Sequence, residues 1–287
     1  METAANSPKP PRKRISTRNR LLFFLTAWLI VLMPFLFWWN TWFGRHLSDQ
    51  EISQYLRDEK KPRHIQHALV QIGERMSQQT LTPGNAAEWY PELVRISTYP
   101  VEEVRNTDAW VMGQDTTYAN FHPALLAMLN DSSLMVRGNA ALSLVRFGDA
   151  SGRPQILALL SPATITATAA GSIIETAKPG TTIRQNGLVA KLNSSGQTVE
   201  LRSPIAGRVR TVTVASGANV SAGDQIAVVD PAPEQVWEAL RALYLIGQVD
   251  DLPAIRPYER EVPEVPDYIR QQAVLTEKAI QDRTAKR

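Results

Sequence analysis

The side chains able to do metal or covalent chemistry are few, and their spacing serves it poorly. The 287 residues include four histidines and no cysteine. His64 and His67 stand three apart on a predicted helix and can share one face. They are half of the four ligands a structural zinc site needs. No acid stands obviously beside them in the sequence, so they read as surface polarity. His122 precedes Pro123 in a predicted loop, and Asp250-Asp251 reads as the loop before a helix rather than a catalytic pair. Without cysteine there are no disulfides, thiolate metal sites or covalent c-type haem. That is compatible with an oxidising compartment. The chain contains no Gly-Lys-Ser/Thr phosphate loop, no Gly-x-Ser-x-Gly elbow and no His-Glu-x-x-His. The expectation is no catalytic residue, no metal and no cofactor.

The elements that would position a site are clearer. Ala170-Gly171-Ser172-Ile173 returns as Ala206-Gly207-Arg208-Val209, and Pro179-Gly180-Thr181-Thr182-Ile183 as Ser216-Gly217-Ala218-Asn219-Val220. Gly187-Leu188-Val189-Ala190 is answered by Asp224-Gln225-Ile226-Ala227. The offset is 36 residues at the first match and 37 at the other two. An internal repeat is read before anything else. Each half reads as β-branched strands broken by Gly and Asn turns. Two such halves, face to face, bury one small sandwich core. Gly207 suits a tight strand entry, and Gly217 and Gly223 suit turns with positive φ.

The run from Ser203-Pro204-Ile205-Ala206-Gly207 through Gly223-Asp224-Gln225-Ile226 resembles the biotinyl/lipoyl-like domains, over about residues 163–232. The resemblance implies a flattened barrel-sandwich of two four-stranded sheets. Carriers of that family hold their prosthetic group on a lysine at the tip of the hairpin joining the halves. Here that hairpin is Leu192-Asn193-Ser194-Ser195-Gly196-Gln197-Thr198, and the lysine position falls on Gly196. Lys191 is placed at the end of the preceding strand. The resemblance therefore implies a non-acylated binding or spacer module, with Asn193, Ser194, Ser195 and Gly196 as the candidate partner contact. Membrane-fusion adaptors of secretion and efflux systems are similar. They too combine one N-terminal membrane helix with a lipoyl-like domain outside the cytoplasm. Their long α-hairpin between the lipoyl halves is a tight turn here, and their further β-barrel has no counterpart.

The formal charge is only +3, but it is unevenly placed. Lys9, Arg12, Lys13, Arg14, Arg18 and Arg20 crowd the first twenty residues against one acid, Glu2. Residues 21–43 carry no charge, and that length of helix spans about 30 Å of hydrocarbon. Pro34 is expected to kink it, and Trp38, Trp39 and Trp42 gather at its far end as an interfacial belt. A cleaved signal peptide fits less well, because the apolar run is long and bulky residues follow it. Residues 1–20 then form a basic cytoplasmic tail, 21–43 a transmembrane helix, and everything after about 45 lies outside the cytoplasm. In a bacterium that means the inner membrane and the periplasm.

Residues 48–162 read as helices. In the stretch 131–149, Asp131 is a plausible N-cap, Val136, Ala140, Leu144 and Phe147 mark one apolar face, and Gly148 suits the C-terminus. Pro154 opens a second short helix. Weaker copies occur at 101–113, at a constant offset of 35 and followed by a helix at Pro123, and at 68–73 with 86–96 after a long loop. A further copy at 236–247 and 251–255 needs one offset of 99. These units resemble HEAT-like repeats of the phycobilin-lyase type, with Arg137 and Asp131 bracing a repeat turn. The β domain at 163–232 then interrupts the stack, which resumes at 233–260. Residues 261–287 hold a Pro-broken segment and a last helix whose stripe of Ile269, Ala273, Ala279 and Ile280 is thin, leaving its docking open.

The resulting fold class is α+β multidomain: a single N-terminal transmembrane helix, an α-solenoid of HEAT-like helix pairs, and an inserted all-β barrel-sandwich domain. The expected function is a non-enzymatic, membrane-anchored scaffold or adaptor. It would bind a partner protein of a transport, secretion or envelope complex, without nucleic acid, and with homo-oligomerisation left open. The alternative is a prosthetic-group carrier or an enzyme of the bilin-lyase type.

Overall fold

The computed structural model describes residues 17–42 and 45–285. Lys9, Arg12, Lys13, Arg14 and Phe43 lie outside the described residues. The chain divides into two compact units, Met1–Ser48 and Asp49–Arg287.

The first unit contains α1 (Thr17–Trp42), which runs helically through Pro34. Its segment Thr17–Leu36 is long and apolar enough to cross a membrane, and none of it is buried.

The second unit opens with seven helices: α2 (Asp49–Leu56), α3 (Pro62–Ser77), α4 (Pro83–Ile96), α5 (Glu102–Met112), α6 (Phe121–Met128), α7 (Leu134–Arg146) and α8 (Arg153–Leu159). Eight strands intervene before α9 (Pro233–Ile246), α10 (Leu252–Ile255) and α11 (Asp267–Ala285). Helices α3, α5, α7, α9 and α11 pack side by side in that order. Behind them, α4 packs on α5, α6 on α5 and α7, and α8 on α7 and α9. Each helix buries one face only, so the core is continuous along the stack and no pair stands alone.

A repeated arginine contact marks two consecutive units. Arg105 Nη1 donates to the carbonyls of Tyr99 and Pro100, at 2.8 and 3.1 Å. Arg137 Nη1 donates to those of Asp131 and Ser132, at 2.6 and 2.9 Å. In both cases the arginine reaches back to the turn that precedes its own helix. The constant offset of 35 therefore needs correcting. The N-caps Val101 and Ser133 are 32 residues apart, because α7 has 13 residues and α5 has 11. The N-cap is also Ser133 and not Asp131. Its hydroxyl accepts from the amides of Met135 and Val136. Asp131 instead accepts from the Ser133 amide at 2.8 Å and pairs with Arg105 at 2.7 Å. The long loop expected after residue 73 is short, since α3 continues to Ser77 and Thr82 caps α4.

The last helix docks. Ile269, Ala273, Thr276 and Ile280 are buried. Thr276 Oγ1 donates to the Leu240 carbonyl of α9 at 3.0 Å. Arg283 donates to the carbonyls of Leu243, Tyr244 and Gly247, satisfying the orphan end of α9. The apolar stripe looked thin because its third member is a threonine, and Ala279 is only half-buried.

Asp108 in α5 is fully buried, and neither carboxylate oxygen has a hydrogen-bond partner among the described residues. Burial holds its carboxyl well above the ordinary range, against a smaller opposing effect of Arg95. The folded state therefore keeps a proton that the unfolded chain releases. That contribution to stability is full at pH values below the ordinary aspartate pKa and is lost as pH rises. Asp108→Asn is expected to be about 1–3 kcal/mol more stable than the parent at pH 7, with the difference shrinking towards pH 4. Urea titrations at both pH values read this. An unchanged or negative difference at pH 7 would mean that the carboxylate is satisfied after all.

The strands are β1 (Ala163–Thr166), β2 (Gly171–Thr176), β3 (Thr182–Ile183), β4 (Leu188–Ser194), β5 (Gln197–Arg202), β6 (Gly207–Val212), β7 (Asn219–Val220) and β8 (Gln225–Pro231). They form two four-stranded sheets in the orders β1-β8-β6-β3 and β5-β4-β2-β7. Exchanging β1 with β5, β2 with β6, β3 with β7 and β4 with β8 turns one order into the other. The sequence repeat is thus a pseudo-twofold of the fold. Its core includes Ile173, Leu192, Ile205, Val209, Ile226 and Val229. Gly217 and Gly223 take φ of +84° and +93° in their turns.

The domain enters and leaves at one place. Ala163 of β1 pairs with Val229 of β8, so the two chain ends lie side by side. Helices α8 and α9 then pack directly together. Three contacts fasten the junction. Arg153 meets Asp251 at 3.1 Å, Gln235 Nε2 donates to the Leu159 carbonyl at 2.8 Å, and the Tyr258 hydroxyl donates to the Leu160 carbonyl.

Candidate functional site

The hairpin singled out from sequence joins β4 to β5. Asn193 and Ser194 lie within β4, paired with Thr198 and Gln197. The turn itself is Ser195-Gly196, with φ of +52° and +80°. Two consecutive positive φ values define the tight hairpin turn whose twist matches that of the flanking strands. At the other end of β4, Gln185 Nε2 donates to Glu102 at 2.6 Å and Asn186 Nδ2 to Glu103 at 3.1 Å. Leu134 and Met135 of α7 pack against the β core. The seven residues of β4 carry the tip about 20 Å from that footing.

A biotinyl or lipoyl group needs a free amine at this tip. A side chain at Gly196 would meet nothing within 4 Å, so there is room, but glycine supplies no nucleophile and its φ is strained for other residues. Lys191 lies in the middle of β4, not at its end, opposite Glu200. Its Nζ stands 2.6 Å from Glu175, and that hydrogen-bonded pair raises its pKa and holds it protonated. The residues present do not fit the group.

Three of the four histidines, His64, His67 and His122, have structural partners. His64 accompanies Asp58 at 2.9 Å and stacks on Tyr55, so the acid six residues earlier, in the turn before α3, is brought beside the ring. His67 shares a contact with Gln71 at 2.8 Å. His122 is in the first turn of α6, not in a loop, and meets Asp149 at 2.8 Å. Among the described residues no three His, Cys, Asp or Glu side chains converge on a metal position. Asp251, read as part of a loop, is a buried cap in the 3-10 turn Val249–Asp251. It accepts from the Gln248 amide and from Arg153.

A second candidate had no residue-level signal in the sequence. Helices α5, α7, α9 and α11 line a groove of about 790 Å³. Its apolar part is Trp110, Leu142, Val145, Tyr244, Leu245 and Leu275. Trp110, Tyr244, Leu245 and Leu275 are 41–61% exposed. Two arginines and one glutamate accompany them. Arg241 lies over the Trp237 ring at 4.5 Å and pairs with Glu238 at 3.5 Å. Arg146 donates to the Gly113 carbonyl and to Gln114 Oε1, and makes no carboxylate pair among the described residues.

Compared with known families, residues 159–229 match the model described as "Biotin-requiring enzyme". The chain therefore carries a biotin/lipoyl-type domain in a quarter of its length. No curated protein matches the chain. Among solved structures, a single-chain, multi-domain long-chain acyl-CoA carboxylase is similar at 19% identity with a TM-score of 0.24. The match covers 33% of this chain and 10% of that one, so this chain spans about a tenth of that protein's length.

Proposed function

We propose that this protein is a non-enzymatic scaffold, anchored in a membrane by α1, that holds a partner protein through its helical groove and its non-acylated β domain. The observation that carries this reading is the tip turn. The place where a carrier of this fold presents its lysine holds Ser195-Gly196, and the nearest lysine along the chain is locked to Glu175. What remains is a rigid module footed on α5 and α7, with the exposed groove in the same unit. The basic N-terminal flank supports an orientation with the tail in the cytoplasm and residues after about 45 outside it. In this proposal the chain sits in the inner membrane of a bacterium, with a partner in a transport, secretion or envelope complex. The HEAT-like and adaptor-like readings belong to this proposal. A carrier or bilin-lyase-type enzyme is the second reading, and the match to biotin-requiring enzymes favours its carrier form.

Crosslinking and pulldown from native membranes, with a C-terminal tag, tests the proposal beside a copy lacking residues 163–232. That deletion is tolerable because β1 and β8 are neighbours and α8 already packs on α9. A stoichiometric partner lost on deletion is the expected result, and one kept on deletion assigns recognition to the helices. No partner with either form would count against the scaffold. The intact mass of the purified chain is expected to equal that of the unmodified sequence, whereas a biotinyl or lipoyl adduct would establish the carrier reading.

A further inference from the structure

The groove's own hydrogen bonds restrict what it can hold. Four neighbouring helices at the usual 8–10 Å spacing give a track of about 30 Å. That is the length of about twenty helical residues or about nine extended ones. An extended peptide brings a row of unpaired backbone groups, and a groove that takes one must offer side-chain amides to meet them. The amide nitrogens here already donate within the stack. Asn139 Nδ2 donates to the Asn106 carbonyl and to its Oδ1. Gln114 donates to the Trp110 carbonyl and accepts from Arg146. Gln272 Nε2 is directed at Thr276 Oγ1. A helix satisfies its own backbone and needs only an apolar track, which Trp110, Leu142, Tyr244, Leu245 and Leu275 provide.

Charge decides the rest. Several arginines elsewhere on the stack have carboxylate partners, Arg57 with Glu88 and Glu92, Arg95 with Glu59 and Glu92, Arg75 with Asp49, whereas Arg137 and Arg283 are taken up by carbonyls of the turns and helix ends they brace. In the groove Glu238 is taken by Arg241, and Arg146 faces the track with carbonyl and amide contacts only. We infer that the groove receives an amphipathic α-helix of the partner protein, its apolar stripe on the Trp110–Leu245 track and a carboxylate on its flank paired with Arg146. This rests on the scaffold reading and specifies its partner.

The test uses the full chain in detergent and two synthetic amphipathic helices of about twenty residues. Both have the same leucine stripe, with glutamate on the polar positions of one and lysine on the other. Binding is followed by calorimetry. The glutamate helix is expected to bind at least about tenfold more tightly than the lysine helix. Arg146→Glu should abolish or reverse that preference, and Leu245→Glu, at a position 61% exposed, should weaken both. Equal binding of the two helices, a preference unchanged by Arg146→Glu, or no binding of either overturns the inference. So does a proline-broken glutamate peptide that binds as well as the helical one. If the membrane pulldown still captures its partner with Leu245→Glu, the groove proposal fails and the scaffold stands. If it captures none even with the parent chain, the scaffold fails.

Discussion

Alanine at Gly207 is expected to unfold the β domain while the helical stack stays folded. A Cβ built there lies 1.7 Å from the Asp230 carbonyl oxygen and 2.8 Å from its carbon. These are backbone atoms of β8, the strand between β1 and β6 in a sheet with no slack. Its pseudo-twofold mate Gly171 stands in the same relation to β4, 2.1 Å from the Asn193 carbonyl oxygen. No rotamer change relieves either clash, so the cost exceeds the 1–3 kcal/mol of ordinary overpacking, at about 3 kcal/mol or more. The stack should survive because α8 and α9 touch directly beneath the insertion. None of the seven tryptophans lies in residues 163–232, so fluorescence reports on the helices alone, from Trp89, Trp110 and Trp237 in the stack and four more in α1. The expected result is an unchanged urea midpoint by fluorescence, with rapid proteolysis inside 163–232. Loss of both signals together would show that the stack depends on the β domain. Unchanged protease resistance would show that the sheet can yield. Gly217→Ala is the milder comparison, with open space around it and only a φ of +84° to strain, a cost of about 1–2 kcal/mol.

Asp251→Ala is expected to loosen everything after the insertion. Asp251 is 2% exposed, and its two oxygens accept from Arg153 at 3.1 and 3.2 Å and from the Gln248 amide at 2.8 Å. Its removal leaves a partly buried guanidinium without a counter-charge and the turn before α10 without its cap. Breaking one side of a buried pair costs about 3–5 kcal/mol, and since a quarter of the Arg153 side chain is exposed we expect roughly 2–4 kcal/mol. Hydrogen exchange should rise in α9, α10 and α11 before it rises in α3 or α5. Replacing both residues by leucine should recover part of the loss, because no charge is then left buried. A change below about 0.5 kcal/mol, the usual size for a surface substitution, would mean the pair contributes little to this junction.

Much of the β domain was legible because its two halves solve the same steric problem twice. The Ala-Gly pairs at 170–171 and 206–207 recur since each glycine admits a neighbouring carbonyl at the same point of the pseudo-twofold. The tip turn was legible for the same reason, since the repeat fixes where the halves join. The helical units were harder to place. The C-caps Gly113 and Phe147 are 34 residues apart, while the N-caps Val101 and Ser133 are 32 apart, so no single offset aligns both ends of the two helices. Asp131 looked like a cap because it stands two residues before one, and its carboxylate is claimed by Arg105 from the neighbouring unit. His64 looked isolated because Asp58 lies outside its helix.

The sequence by itself determined the properties that depend on local composition and period: one apolar N-terminal helix, two repeated β halves, and a tip without an amine. The tertiary structure alone decided the properties that depend on residues far apart in the chain. Arg153 meets Asp251 across the inserted domain, Thr276 completes the docking stripe of α11 through a carbonyl of α9, and Trp110, Leu245 and Leu275 come together as an open groove. The physical reason is that periodicity says which face of a helix is apolar. Whether a neighbour covers that face depends on how successive helices are stacked, and that is a property of the whole stack.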